Sequence, residues 1–303
     1  MNLNEFVEPF LTSREAQGCS PNTVRYYRGQ LIDYFTWCEL NGFTGSDLVG
    51  IMGAETFEGY SAAMLARGLS PFSVDNCYRS LRCYCRWIWR RYRLPDESPF
   101  LYLKRSTLPD LLPKAISYTQ MLLLHHSIKP SDRNDWVSVR DKLIVRFLFC
   151  TGVRAGELIS LKIGDVDVAQ RRLKVRRWKT GIEGFIPLTK TLVAELGQWL
   201  ETQRPAVDHD GLWPSYIHRA KAPGPPLAGQ GLTQMLRRRC KAAGLPRFAP
   251  HSFRHGTAIE IIARGGALNL VTEMLGHRQV ASSMRYLRFD ISRTQQALDR
   301  IFD

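Results

Sequence analysis

The chain has 303 residues, 44% of them apolar, which is enough for two domains with real cores and excludes a disordered polymer as the starting expectation. Its 42 Lys and Arg against 28 Asp and Glu leave a formal charge of +14, so the surface should attract a polyanion, nucleic acid first among them.

The first thirty residues carry Glu5, Glu8 and Glu15 rather than a basic start with an apolar run, which predicts a cytosolic protein without a leader. Helical period then dominates. Ser20-Pro21 supplies an N-cap and an N1 proline; Val24, Tyr27, Leu31, Tyr34 and Cys38 follow at three- and four-residue steps, and Asn41-Gly42 stops the run. Gly68, Ser70, Pro71, Val74 and Leu81 repeat the spacing of Gly18, Ser20, Pro21, Val24 and Leu31, which suggests two similar helical units. On the second of these helices Val74, Tyr78, Leu81, Cys85, Ile88 and Tyr92 share one arc. Arg79, Arg82, Arg86, Arg90 and Arg93 share another. A solvated helix face normally mixes Glu with Lys, so a stripe of arginine with few carboxylates to pair with is read as a phosphate or major-groove contact.

Prolines 95, 99, 109 and 113 accumulate where the helical period fails, which places a linker at 106–113 between a helical domain over 1–105 and a second domain over 114–303. The best apolar stretch, Leu143 to Cys150, is short and interrupted by Arg146, so no membrane span is expected. One strand-like interval runs from about Val166 to Pro187: Leu173 and Val175 alternate with Arg172, Lys174 and Arg176, and Lys179-Thr180-Gly181 supplies a turn. Pro223 to Pro226 read as a loop, and Ile291, Leu298, Ile301 and Phe302 give the last residues a short amphipathic pattern. Seven cysteines form neither a CxxC pair nor a Cys/His metal spacing and read as reduced core residues.

Four segments matter together: Thr151-Gly-Val-Arg154-Ala-Gly-Glu157-Leu158, the Lys179 turn, His251-Ser-Phe-Arg254-His255, and Leu275-Gly-His277 with Tyr286 nine residues beyond. Each alone is weak, since a lone Arg, Lys, His or Tyr is usually structural or solvated. In this order they resemble the signature of the tyrosine recombinase (phage integrase) family, and the chain's compactness is similar to its Xer-like members. The resemblance implies a mainly α fold with a small antiparallel β-sheet: a helical, SAM-like core-binding domain that holds DNA, then the tyrosine recombinase catalytic domain with a C-terminal interaction tail. It implies a site-specific recombinase that cuts and rejoins DNA through a 3′-phosphotyrosine and a Holliday junction. It also implies a homo-tetramer on double-stranded DNA with paired recombination sites, joined in some systems by a second recombinase or accessory factors, with the protein at the nucleoid.

The residue types suit that chemistry. Attack on a phosphodiester builds negative charge on two non-bridging oxygens, and Arg154 and Arg254 can donate paired hydrogen bonds while staying charged. Tyr286, by resemblance the nucleophile, needs a base or a strongly positive site; His251, three residues from Arg254, is implied as that base, Lys179 as the general acid on the leaving 5′ oxygen, and His277 as a donor to the phosphate. Glu157 is implied to steady the site without reacting. No metal cluster and no GxxxxGK[ST] loop is visible, so neither metal, ATP nor another cofactor is expected. Phe253 stands where the family usually has Leu, and Leu287-Arg288 where Thr-His often follows the tyrosine; these departures favour an enzyme of a mobile element over a chromosomal housekeeping role. Two rivals are a type IB topoisomerase-like nicking-closing enzyme and a DNA-binding relative that has lost the reaction. The tail after Tyr286 and the compact first domain argue against the former, the intact reactive residues against the latter.

Overall fold

A computed structural model describes residues 3–43, 48–93, 100, 108, 114–132, 135–176, 183–276 and 284. The chain divides into two units, Met1–Leu111 and Leu112–Asp303. The fold is mainly α with small antiparallel sheets.

In the first unit a 3-10 turn leads into α1 (Val7–Ala16), α2 (Pro21–Leu40), α3 (Leu48–Ile51), α4 (Ala54–Ala66) and α5 (Pro71–Tyr92). The two Ser-Pro signals act as expected. The Ser20 and Ser70 hydroxyls accept from the N–H groups of Thr23 and Ser73, and each proline takes the first helical position, where a missing N–H costs nothing. Phe10, Leu31, Tyr34, Tyr60, Leu81, Tyr84, Ile88 and Phe100 are buried in one core, and Phe10, Tyr27, Tyr84 and Trp87 meet largely edge-to-face, the arrangement favoured by the ring quadrupole. Tyr92, expected in the core arc, is 41% exposed, because α5 ends there: Arg93 adopts a left-handed backbone (φ 49°) and the helical arc is not continued.

The second unit contains α6 (Tyr118–Ser127), α7 (Trp136–Thr151), α8 (Ala155–Ile159), α9 (Lys190–Gln198, continued by a π-helical turn), α10 (Gly229–Ala242), α11 (Pro250–Ala263) and α12 (Leu268–Leu275). The apolar run ending at Cys150 is the buried side of α7, whose Leu143, Ile144, Phe147 and Leu148 pack in one core with Trp199, Trp213 and Phe253. Arg146, which interrupts the run, is ion-paired with Glu195. The predicted strand interval resolves into three: β1 (Val166–Asp167), β2 (Arg172–Arg176) and β3 (Glu183–Pro187), antiparallel in sequence order. Leu173 and Val175 are buried, opposite Ile186 and Gly184, while Arg172 and Arg176 face outward as their alternation requires.

The expected loop at Pro223 to Pro226 is instead a strand, β5 (Ala222–Pro226), paired antiparallel with β4 (Pro214–Ile217) through a register irregularity. A two-stranded sheet consists only of edges, so prolines that cannot donate to a ladder are tolerated there. No helix among the described residues is long and apolar enough to cross a membrane. All seven cysteines are free; four are buried, and burial pushes the Cys38 and Cys77 thiols up to about 11 and about 12.

Candidate active site and basic face

Helix α7 ends at Gly152, whose left-handed backbone (φ 62°) turns the chain toward Arg154. A Cβ on Gly152 would lie 2.5 Å from Leu275 Cδ2, so glycine is required here by both backbone and packing. Arg154 is the N-cap of α8, in extended conformation. Glu157, three residues on, accepts the Arg154 backbone N–H at 2.8 Å with one oxygen and the Arg154 guanidinium at 2.7 Å with the other. One buried carboxylate thus caps the helix and aims the arginine, whose side chain remains 28% exposed.

Arg254 sits on α11 and is 4% exposed. Its Nη1 donates to the Gly152 carbonyl at 2.7 Å and its Nη2 to the carbonyl of Leu275, the last residue of α12. The α7 C-terminus, which leads to Arg154, and the α12 C-terminus, which leads to Gly276-His277, are therefore tied to one guanidinium. Each Nη carries a second N–H besides the one given to a carbonyl. Nearby, Thr257 on α11 donates to the Phe149 carbonyl at 2.6 Å, and a Cβ on Gly256 would lie 2.2 Å from the Ile116 carbonyl, so α11 can approach its neighbours only through glycine. His251, in the first turn of the same helix, is exposed and stacks on His255 with ring centroids 6.1 Å apart.

The structure thus brings Arg154, Glu157 and Arg254 together around the Gly152 turn and puts His251 on the helix that carries Arg254. Lys179, in the connection between β2 and β3, and His277, Tyr286 and the apolar tail positions lie outside the described residues. One guanidinium at the head of α8, with a second guanidinium and an imidazole on α11, is a set of groups that can hold and polarise a phosphodiester.

The first unit carries the arginine stripe. Arg79, Arg82, Arg86 and Arg90 are exposed along α5 and line a groove of about 680 Å³. Arg93 leaves the helical arc at the left-handed C-cap and is not in the groove lining. One of the few carboxylates within reach of the stripe is that of Asp75, one turn before Arg79; it pairs with Arg79 at 2.9 Å, and its own side chain is buried. Arg14 and Arg91 also line the groove, as do Tyr78 and Trp87. Sequence reading missed both. Arg14 comes from α1 and is placed over the Phe10 ring, 5.2 Å from its centroid; only the tertiary fold could bring it beside α5, whereas Arg91, next to Arg90, was within reach of a wider arc.

The phage integrase family model matches residues 119–293. Over nearly its whole length the chain is similar to the tyrosine recombinase XerA of Thermococcus kodakarensis, at 27% identity across 98% of this chain and 95% of the relative, and to the tyrosine recombinase XerD of Listeria monocytogenes, at 26% across 94% of each. Among solved structures, the Tn1549 transposon integrase in complex with transposon right end DNA superposes with a TM-score of 0.75 at 17% identity over 100% of both chains. XerH bound to a palindromic difH substrate gives 0.69 at 21% identity over 94% of this chain and 81% of that one. The order of motifs, the fold of both units and a family match over more than half of the chain lead to one conclusion: this protein belongs to the phage integrase family, the tyrosine recombinases.

Proposed function

We propose that this site-specific recombinase cuts and rejoins double-stranded DNA at paired sites through a covalent 3′-phosphotyrosine on Tyr286. The observation that carries the reading is the Gly152 turn, where Arg254 bonds to the carbonyl two residues before Arg154 and so ties the two phosphate-holding guanidiniums to one piece of backbone. In the proposed step the Tyr286 oxygen attacks phosphorus and gives its proton to His251; the bond from phosphorus to the 5′ oxygen breaks, and Lys179 protonates that oxygen as it leaves. Arg154, Arg254 and His277 hold the non-bridging oxygens as charge develops, and Glu157 fixes the angle of Arg154. The phosphotyrosine keeps the energy of the broken diester, so attack by another strand's 5′ hydroxyl closes the cycle through a Holliday junction, without metal, ATP or another cofactor.

The residues at 1–105 act as the core-binding domain, whose α5 arginines track phosphates, and those at 114–303 as the catalytic domain, joined by the linker at 106–113. Four copies assemble on two DNA sites, each tail after Tyr286 docking on the next copy, in the cytoplasm at the nucleoid. The departures at Phe253 and Leu287-Arg288 favour a mobile element as the setting. The deciding experiment is a nicked suicide substrate: the wild type should yield a covalent protein-DNA band and Tyr286→Phe should bind DNA without forming it. A band that persists in the variant would end the assignment.

A further inference from the structure

The second unit has another cationic hollow, at the opposite end of α7 from the Gly152 turn. Since α7 has 16 residues, the two ends are about 24 Å apart. This cavity of about 960 Å³ is walled by the start of α7, the β4–β5 hairpin and one face of α10. In its wall three guanidiniums share a single carboxylate. Asp141, fully buried, accepts from Arg140 at 2.7 and 3.1 Å on one oxygen, and from Arg238 at 3.0 Å and Arg239 at 2.9 Å on the other. Arg239 also reaches the Ser138 hydroxyl at 3.0 Å.

One carboxylate neutralises one of these three charges. The rim adds Lys221, His218, Asp132 and Asp135. Asp135 is occupied as the cap of α7: its oxygens accept from the Ser138 and Ser131 backbone N–H groups, and these bonds hold its carboxyl below the usual carboxylate range against the opposing effect of burial. Set against Asp132, Asp135 and Asp141, the three guanidiniums and Lys221 leave one positive charge over, and of the guanidiniums the most accessible is Arg238, whose side chain is 49% exposed while Asp141 fixes its position. Lys221, at a position with a left-handed backbone (φ 50°), also lines the hollow. The rest of the wall is mixed, with Val137, Leu227 and Met235 beside a run of rings: Trp136 meets Tyr216 at 5.9 Å, Tyr216 meets His218 at 4.9 Å, and the Arg140 guanidinium lies over one face of Trp136, 5.3 Å from its centroid.

A guanidinium fork held by a buried partner matches a phosphate, and an adjoining aromatic wall matches a base. We infer that this hollow is a second phosphate-binding site, separate from the cleavage site, which takes a nucleotide through Arg238 and Lys221 with the base against Trp136 and Tyr216. The same chemistry is offered by a free nucleotide and by the end of a single strand.

Calorimetric titration of the full-length protein with pyrophosphate, with dAMP and with a four-nucleotide single strand tests it. Phosphate probes should bind, and both Arg238→Glu and Lys221→Glu should weaken binding at least tenfold with the melting temperature retained. Arg154→Lys, which alters the cleavage site at a partly exposed residue, and the double variant Arg82→Gln/Arg86→Gln, which alters the groove on the first unit, should leave this binding intact. Because Arg238 touches Asp141, the hairpin variant Lys221→Glu keeps the test decisive if Arg238→Glu does not fold. Tighter binding of dAMP than of the tetranucleotide assigns a free nucleotide, the reverse order a strand end, and either ranking supports the site. No binding of any probe, binding equal in wild type and Lys221→Glu, or binding abolished by Arg154→Lys would overturn it.

Discussion

Gly152 is the residue on which the proposed phosphate clamp turns. An alanine there would need a left-handed backbone and would drive its Cβ to 2.5 Å from Leu275 Cδ2. Gly152→Ala should therefore cost about 2–4 kcal/mol in urea unfolding, the sum of backbone strain and overpacking, and should slow cleavage as well, because the Arg254 acceptor moves with the turn. A variant as stable as the wild type would mean that the turn relaxes freely. His125 is a second residue with a measurable signature. Burial, with Arg146, Lys142 and His126 adding repulsion, pushes its pKa down to about 3. The unfolded chain binds a proton near pH 6.5 and the folded one does not, so stability from this group is complete above that pH and is lost as pH falls from about 6.5 toward 3. Between pH 7 and pH 5 the loss should be about 2 kcal/mol, and His125→Leu should flatten that part of the stability profile; an unchanged slope would show that His125 is protonated in the fold.

At the scale of elements, α5 separates what the sequence discloses from what it does not. If its exposed arginines track phosphates, Arg82→Gln with Arg86→Gln should reduce the slope of log affinity against log salt by about two, whereas Arg93→Gln, at the left-handed cap, should change it little. A slope that stays put in the double variant would return the stripe to solvent. The start of α5 was legible because Ser70 and Pro71 act within one turn, and its buried face because Val74, Tyr78, Leu81, Cys85 and Ile88 recur with the helical period. Its end was not, because nothing local in Tyr92-Arg93 announces a left-handed cap. The β4–β5 hairpin was hidden for a different reason: Pro223, Pro225 and Pro226 signal a loop unless the strand is known to be an edge, which is a property of the whole sheet. The candidate site shows the same division. Arg154, Glu157, His251 and Arg254 could be picked out by order and spacing, but the bonds from Arg254 to the carbonyls of Gly152 and Leu275 link positions 102 and 21 residues apart and leave no mark in any short segment.

For the molecule as a whole, the two units have separate cores. The proposed tail contact acts at this scale. Deleting residues 290–303 should leave single-site binding and most of the stability intact while abolishing paired-site synapsis, scored by native gel shift and strand-exchange assay. Unfolding of the truncated protein would place the tail in cis, and normal recombination would remove its assembly role. The Arg254 contacts bear on descent as well as on chemistry. A lineage that gave up cutting DNA but kept the fold would still be under selection for an arginine at this position, since its loss would leave two buried carbonyls without their donor. Among relatives, retention of this arginine therefore marks a folded second unit, and surveys for chains that still react should weigh the lysine and tyrosine positions more heavily.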